Sequence, residues 1–373
     1  MIFLYGTLRH LPLLRVVLGR AVETRPATAP DQAVVWAEGQ GFPLMLPAPG
    51  RSAAGLLIDT ESGPGGVDGE VQSRLDFYEL GFGYDLAPIT VETEDGPVAA
   101  RAYLPRPGLW QAGADWSLED WVARLGPETV LAAEAFMALW PATEPERAAE
   151  RYPQMLQRAA SQVRARAEPV PRGPRKGRGT PEILSRSVPY SRFFEVAEAD
   201  LRFPKFDGSL SRRVNRAAFV SCDAVTVLPY DPARDRVLLV EQFRFGPLMR
   251  GDPLPWMLEP IAGRIDGGES PEQAARRESV EEAGLRLDRL IRIGGYYPSP
   301  GTLTEFLYSF LALADLPEGF TGPGGLDSEA EDIRVHLLSF DALMQLIDAD
   351  QGTTGPLILS ALELARRRDS LRR

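Results

Sequence analysis

The sequence predicts a two-domain protein of mixed α+β and α/β class. A chain of 373 residues is longer than one typical hydrophobic core supports. Strand-like apolar runs and helical patterns occur in both halves, and residues 167–182, rich in proline, glycine and arginine, have the composition of a linker. We therefore expect domains at residues 1–108 and 183–373, with a helical extension over residues 109–166.

Two short motifs stand out in the first domain. The apolar run that starts at Ile2 leads directly into Tyr5, Gly6, Thr7 and Leu8, and a later segment reads Leu75-Asp76-x-x-Glu79. Strand-like runs follow the order of a small sheet, at residues 54–59, 89–92 and 99–104.

These motifs resemble those of the gamma-glutamylcyclotransferase family over about residues 1–105. The resemblance implies a small β-barrel with helices. It also implies that the backbone amides of Tyr5, Gly6, Thr7 and Leu8 bind the glutamyl end of a substrate, and that Glu79 moves a proton as the amine cyclises.

The first domain departs from that family at one position. The family often has glycine after the glutamate, whereas this chain has Leu80, and Gly81 is expected to supply the bend. Glu79 could equally be a surface carboxylate at a helix end, and Tyr5-Gly6 a plain strand turn. Because a fold does not determine a function, two hypotheses stay open: a gamma-glutamyl amine cyclotransferase, or a module that only binds a partner.

Three helical segments are expected in the extension. Residues 118–122, 128–140 and 146–166 have helical spacing and many strong helix formers. Pro153 is expected to break or kink the third segment, since proline lacks the backbone donor of a helix interior.

The second domain shows strand patterns and then helices. We expect strands at residues 190–196, 217–220 and 224–228, and helices at residues 341–348 and 356–368. Between them lies the most specific pattern in the chain, G-x5-E-x7-R-E-x-x-E-E-x-G, which runs from Gly263 to Gly284.

The local sequence predicts a helix inside this pattern, from Pro271 to Ala283. Ser270 can cap it while Gln273 reaches back, as in a capping box. Proline is favoured at the first helical position, and Gly284 tolerates the left-handed turn that ends a helix.

Three carboxylates share one side of this helix. Glu278 lies three residues before Glu281 and four before Glu282, a spacing at which like charges oppose folding by about 0.2–0.5 kcal/mol per pair. Oxygen ligands without thiol or imidazole suit Mg²⁺, with Mn²⁺ as a possible substitute. The alternative is a solvated acidic face, but chance produces the seven fixed positions at only about 10⁻⁷ per register.

The pattern resembles the signature box of the Nudix hydrolases, which cut a nucleoside diphosphate linked to another group. This resemblance implies an α/β/α sandwich. The one departure is Ser279, where the family usually has an aliphatic residue, so we expect looser packing beneath the helix.

The resemblance also implies roles for the box residues. Glu278 and Glu282 would be metal ligands together with the carbonyl of Ala262, and Glu281 would be a further ligand or hold a water. Arg277 would orient the carboxylates through charge-assisted hydrogen bonds, and Glu269 would brace the loop from behind.

Flanking residues are similar to the ADP-ribose pyrophosphatase branch, closest to a bacterial subgroup labelled as tellurite-resistance-associated. Pro300 matches the proline of that branch, and Glu259 belongs to its substrate side. Arg244 would meet a phosphate, or else be an ordinary surface charge, and Glu329 or Glu331 would activate the attacking water. The implied reaction converts ADP-ribose to AMP and ribose 5-phosphate, with another nucleotide sugar such as a GDP-sugar as the alternative.

Composition and sequence patterns narrow the classes of partner and the expected location of the protein. The net charge of −11 argues against nucleic acid, and no apolar stretch approaches the length of a membrane span. The absence of a signal-peptide pattern makes a cytoplasmic location the expectation. In the resembling branch, the segment before the box pairs with a second copy, which implies a homodimer with adenine held near the subunit boundary.

Overall fold

The computed structural model describes residues 1–60, 69–169, 179–320 and 332–372. The chain divides into two compact units, Met1–Pro169 and Val170–Arg373. The finer boundaries expected at residues 108, 166 and 182 stay predictions.

The first unit contains a closed five-stranded barrel. Its strands are β1 (Ile2–Leu4), β2 (Thr24–Ala37), β3 (Pro43–Ile58), β4 (Tyr84–Thr93) and β5 (Gly96–Pro105), and β6 (Ala112–Asp115) pairs with β2 outside the ring. The ring runs β1-β3-β2-β4-β5 and closes because β5 pairs in parallel with β1, all other pairs being antiparallel. The expected small barrel with helices is confirmed.

The helices of the first unit pack together beside the barrel. They are α1 (Leu11–Leu18), α2 (Glu70–Glu79), α3 (Leu118–Arg124), α4 (Gly126–Met137), α5 (Pro145–Ala149) and α6 (Tyr152–Ala167). Fully buried Leu75, Trp121 and Phe136 belong to one shared core. The expected break of the third segment is confirmed, since α5 ends at Ala149 and Pro153 lies in the first turn of α6.

The second unit is built on a mixed sheet. Its strands are β7 (Glu182–Ser191), β8 (Glu195–Arg202), β9 (Val214–Val220), β10 (Ala224–Asp231), β11 (Arg236–Phe243), β12 (Trp256–Glu259), β13 (Ile261–Arg264), β14 (Arg289–Tyr296), β15 (Leu307–Leu313) and β16 (Ile333–Ser339). Its helices are α7 (Phe245–Arg250), α8 (Pro271–Ala283), α9 (Phe340–Asp348) and α10 (Gly355–Leu371).

The main sheet has helices on both faces. Its order is β12-β11-β10-β15-β14, with β13 on β10 and β16 on β11. Ala274, Ala275 and Ala283 of α8 belong to the core on one face, whereas Leu343 of α9 and Leu357 of α10 belong to the core on the other. The expected α/β/α sandwich is confirmed.

A separate small sheet precedes the sandwich in sequence and has the order β7-β8-β9. The strand expected at residues 190–196 is wrong, because the chain reverses there: β7 ends at Ser191 and β8 begins at Glu195. The apolar pattern crosses the turn because the turn itself carries Phe193 and Phe194, whose rings meet edge to face.

The box helix α8 has the predicted bounds and ends. Ser270 accepts from the amide of Gln273, whose side chain accepts in return from Ser270, and Gly284 takes the left-handed conformation with φ 63°. Ser279 is fully buried, and its hydroxyl donates to the carbonyl of Ala275 at 2.7 Å. The departure from the family pattern is therefore a hydroxyl whose hydrogen bond is made within the helix.

Across the described parts of the chain, the helices are all too short or too polar to cross a lipid bilayer.

Candidate active site

Two of the box carboxylates lie against strand β13. A side-chain carbon at position 263 would fall inside the carboxyl group of Glu278, so only glycine allows that group to approach the backbone. Glu282 is buried, and its Oε2 accepts from the amide of Ala262 at 3.2 Å. The helix and the strand therefore bring Glu278, Glu282 and the backbone at Ala262 and Gly263 to one place.

Arg277 joins the carboxylates of the helix to each other. Its Nη1 donates to Oε1 of Glu278 at 2.7 Å and to Oε2 of Glu281 at 2.8 Å. Burial would lower the pKa of this guanidinium, but hydrogen bonding to Glu269 and the charge of Glu278 raise the pKa above its usual value. Arg277 is thus a permanent cation placed between two acids.

The same arginine ties the helix to the loop before it. Its Nη2 donates to the carbonyl of Arg264 at 2.8 Å and to Oε2 of Glu269 at 3.1 Å. Glu269 in turn accepts from the amide of Asp266 at 3.2 Å. These contacts join α8 to the loop before it, while the orienting role of Arg277 and the bracing role of Glu269 stay predictions.

The donor set of the box suits a divalent cation. Carboxylate and carbonyl oxygens are the ligands that hard cations prefer. In the described part of the chain, however, no three acidic, imidazole or thiol side chains converge closely enough to hold an ion as they stand. Glu278 and Glu282 lie beside the backbone at Ala262 and Gly263, whereas Glu278 and Glu281 are each hydrogen bonded to Arg277.

The remaining predicted site residues of the second unit lie outside the box. Arg244 follows β11, and its Nε donates to Oε2 of Glu259 at 2.7 Å, with the arginine side chain 39% exposed. Pro300 is exposed in the turn after β14. Glu329 and Glu331 lie outside the described residues.

A half-buried acid near Arg264 of the box, Glu305, had no role in the sequence analysis. Burial raises the pKa of Glu305, while the nearby charges of Arg264 and Arg244 oppose the rise and that of Asp223 adds to it. The guanidinium of Arg264 lies 4.3 Å from the ring centroid of Phe193. No sequence motif marks these neighbours, because they come from segments that are far apart along the chain.

In the first unit, the motif loop follows the end of β1. Gly6 begins a tight turn in which Arg9 donates its amide to the carbonyl of Gly6 at 3.0 Å and His10 donates to that of Thr7 at 2.9 Å. A side-chain carbon at Gly6 would lie 3.0 Å from Cγ of Pro43. Tyr5 and Leu8 are buried, so the loop is held from both ends.

Glu79 is the last residue of α2, and burial raises its pKa to about 8. No hydrogen bond or ion pair joins it to another described side chain. Its charge acts on tyrosines from several elements, namely Tyr5, Tyr78, Tyr84 and Tyr103. A carboxyl group in this setting accepts a proton close to neutral pH, as a general acid or base requires.

The bend after Glu79 differs from the expectation. Leu80 and Gly81 continue into a 3-10 turn, and the left-handed residue that ends it is Gly83, with φ 79°. Gly81 is needed for another reason, since a side chain there would run into the carbonyl oxygen of Pro145.

Comparison with known proteins finds a matching family model for each of the two units. A NUDIX domain model matches residues 221–357. An ADP-ribose pyrophosphatase of Escherichia coli (strain K12) is 37% identical over 172 residues, which cover 46% of this chain and 81% of that protein.

The chain belongs to the Nudix family.

Two further Nudix relatives differ in the substrate that their names give. An ADP-ribose pyrophosphatase of Haemophilus influenzae is 36% identical over 166 residues, covering 44% of this chain and 76% of its own. A GDP-mannose pyrophosphatase of Yersinia pestis (strain Pestoides F) is 33% identical over 144 residues, covering 39% and 72%.

The first unit of this Nudix protein has its own match. A model described as gamma-glutamyl cyclotransferase, AIG2-like, matches residues 2–123 and so includes α3. Both resemblances inferred from the motifs are therefore confirmed, while the roles of the individual site residues stay predictions.

Proposed function

We propose that the Nudix domain hydrolyses the diphosphate of ADP-ribose to AMP and ribose 5-phosphate, using Mg²⁺. The observation that carries this proposal is the placement of Glu278 and Glu282 against the β13 backbone, with Arg277 beside them. Nudix hydrolases generally need divalent metal ions. The names of the relatives from Escherichia coli and Haemophilus influenzae support ADP-ribose as the substrate.

The box residues have distinct roles in this proposal. Glu278, Glu282 and the carbonyl of Ala262 would hold the cation, which supplies charge neutralisation at the diphosphate and a more acidic bound water. Arg277 keeps Glu278 and Glu281 oriented, and Glu281 holds a water or serves as a further ligand after it leaves Arg277.

The substrate-binding roles rest on residues at the edge of the box. Arg244 is held at one nitrogen by Glu259, which leaves its other donors for a phosphate oxygen. We propose that the attacking water is activated by Glu329 or Glu331 and that Pro300 shapes the loop beside the substrate. The exposed ring of Phe193, next to Arg264, offers a flat apolar surface for the adenine.

The decisive experiment compares Glu282→Gln with Glu272→Gln. Glu272 is on the same helix but exposed. With ADP-ribose and Mg²⁺, we expect the first variant to lose about 10²-fold or more in kcat and the second to retain it, with AMP release as the measurement and circular dichroism as the check of folding. Near-normal turnover by folded Glu282→Gln would show that the ligand assignment is wrong.

A nucleotide sugar with another base is the competing substrate, because a GDP-mannose pyrophosphatase is also a relative. A panel of ADP-ribose, GDP-mannose and NADH under identical Mg²⁺ concentrations separates the two. We expect the highest kcat/KM for ADP-ribose, and a higher value for GDP-mannose would overturn the substrate while keeping the reaction type.

A second function is favoured by the raised proton affinity of Glu79. We propose that the first unit cyclises gamma-glutamyl amines: the α-amino nitrogen attacks the γ-carbonyl carbon, and the bond to the amine leaving group breaks, giving 5-oxoproline. Glu79 takes a proton from the attacking nitrogen and returns it to the leaving amine, so that the protons balance. The loop of Tyr5, Gly6, Thr7 and Leu8 binds the glutamyl end.

This second function is tested with the full chain and a set of gamma-glutamyl amines. We expect Glu79→Gln to lose 5-oxoproline formation and Glu70→Gln, at the exposed start of the same helix, to retain it. If the unchanged protein forms no 5-oxoproline, the cyclotransferase proposal fails and the binding-module hypothesis replaces it.

A further inference from the structure

The tyrosines around Glu79 have hydroxyl groups that are bound elsewhere. The hydroxyl of Tyr5 donates to the carbonyl of Tyr103 at 2.8 Å, and that of Tyr84 donates to the carbonyl of Pro43 at 3.0 Å. The hydroxyl of Tyr78 is hydrogen bonded to that of Tyr152. These three hydroxyl groups are therefore donated to other acceptors, and none is donated to the half-buried Glu79.

Tyr103 is the fourth of these tyrosines, and it contacts both motifs of the site. Its carbonyl accepts from Tyr5 of the loop, and its hydroxyl donates to Oδ1 of Asp76 at 2.7 Å, one helical turn before Glu79. Tyr103 is 4% exposed and lies on barrel strand β5. One residue of the barrel thus holds the loop through its backbone and the helix through its side chain.

The contact with Asp76 is part of a closed set of hydrogen bonds. Nε2 of Gln72 donates to the hydroxyl of Tyr103 at 2.7 Å and to Oδ1 of Asp76 at 2.8 Å. Arg101 donates to Oε1 of Gln72 at 3.0 Å. Two donors therefore hold the same carboxylate oxygen, which fixes the rotation of α2 about its axis where Glu79 follows.

We propose that Tyr103 is a positioning residue of the Glu79 site, which holds the α2 turn of Glu79 against the Tyr5-Gly6 loop through Asp76. It acts through Asp76 and Tyr5 and does not itself touch the substrate. This role rests on the cyclotransferase function proposed above. The contacts of Tyr103, however, can be tested without measuring turnover.

Several charged and titratable groups lie around Glu79, and the test must separate their effects on its pKa. They are Tyr5 after β1, Tyr84 from β4, Tyr103 from β5 and Tyr78 from its own helix. Asp76 lies behind Tyr103, to which it is hydrogen bonded, and Arg101 lies behind Gln72. Loss of the bond between Tyr103 and Asp76 lets α2 turn and water reach Glu79, which lowers the pKa of Glu79 toward that of an exposed glutamate.

The experiment follows the Glu79 carboxyl carbon by ¹³C NMR in the full chain, with the signal assigned by its absence in Glu79→Gln. Its midpoint is expected near pH 8 in the unchanged protein, and lower by about one unit or more in Tyr103→Phe and in Asp76→Ala. Asp76→Asn keeps an acceptor oxygen for Tyr103, so we expect its midpoint to stay near that of the unchanged protein. If Tyr103→Phe does not fold, the Glu79 midpoint in Asp76→Ala tests the proposal.

Tyr230→Phe is the matched control, because the hydroxyl of Tyr230 also donates to a carboxylate, Oδ1 of Asp235, at 2.7 Å in the second unit. We expect it to leave the Glu79 midpoint unchanged. An unchanged midpoint in folded Tyr103→Phe and Asp76→Ala, or a loss in Asp76→Asn as large as in Asp76→Ala, would overturn the positioning role.

Measurement of turnover distinguishes failure of the positioning role of Tyr103 from failure of the cyclotransferase function. If the chain forms 5-oxoproline, Tyr103→Phe should lower kcat several-fold more than it changes KM and shift the pH profile in the direction of the Glu79 midpoint. If the unchanged protein forms none, the cyclotransferase function fails, and the NMR midpoints still decide whether Tyr103 positions Glu79.

Discussion

A carboxyl group that is buried without a hydrogen-bond donor keeps its proton to a higher pH than one in water, and Glu79 is in this position. Its neighbours are aromatic rings whose hydroxyl groups bind other acceptors. Such a group reduces the stability of the fold at neutral pH, because the carboxyl group ionises freely in the unfolded chain but must keep its proton in the folded site. A residue that costs stability in this way is a candidate for function.

We predict that Glu79→Gln changes how stability depends on pH. The pKa of Glu79 is raised to about 8 from 4.5, so its stabilising contribution is complete below the lower value and is lost as the pH rises through the higher one. Glutamine does not titrate, so the free energy of unfolding of the variant, relative to that of the unchanged protein, should rise by about 3–4 kcal/mol between pH 5 and pH 8. Urea unfolding at both pH values measures this gain, with Glu70→Gln as control. An equal difference at the two pH values would contradict the buried state of Glu79.

At the scale of elements, local signals predicted the helix α8 completely. Ser270, Gln273 and Gly284 determine its ends through contacts only a few residues apart in sequence, so the sequence alone is sufficient. The box motif likewise predicted that Arg277 would lie among the acids, because its partners are close along the chain.

Other features of the site depend on contacts that sequence patterns do not show. Tyr103 meets Tyr5 and Asp76 only because the barrel closes between β1 and β5, and a tyrosine in a strand has many simpler explanations. The strand predicted over residues 190–196 failed because apolar residues in a turn follow the same pattern as those in a strand. Gly83 was missed as the bend because Gly81 offered an equally good glycine.

The contact between β13 and α8 leads to a prediction about Gly263→Ala. The added carbon would displace the carboxyl group of Glu278, so we expect hydrolysis of ADP-ribose to fall by about 10²-fold or more while the domain stays folded. Gly294→Ala is the control, since the same carbon in strand β14 meets nothing within 4 Å. Equal activity of the two variants would show that the position of Glu278 does not matter.

At the scale of the whole molecule, the small sheet β7-β8-β9 is incompletely covered. Several of its large apolar side chains are exposed, among them Ile183 at 61% and Tyr190 at 49%. The outer edge of β7 pairs with no strand among the described residues. Exposed apolar edge strands are uncommon in monomers, since they invite pairing with another chain. These features support the homodimer that we propose for the Nudix unit.

We predict a mass in solution of twice the 41.0 kDa chain at micromolar concentration. The double variant Ile183→Asp, Tyr190→Asp should shift the protein to the monomer, because charges on that sheet oppose its burial. Leu109→Asp, at a similarly exposed apolar position in the first unit, should leave the mass unchanged. Light scattering after gel filtration measures all three, and a monomeric mass for the unchanged chain would refute the dimer.

Arg277 also bears on how the second unit should respond when its proposed metal ion is removed. A guanidinium keeps its proton at any pH where a protein survives, so Glu278 and Glu281 of α8 always have a counterion beside them. Small zinc domains, by contrast, unfold when their ion is removed. Removal of the proposed metal ion by a chelator should therefore stop hydrolysis while the second unit stays folded. Activity should return when the ion is added back.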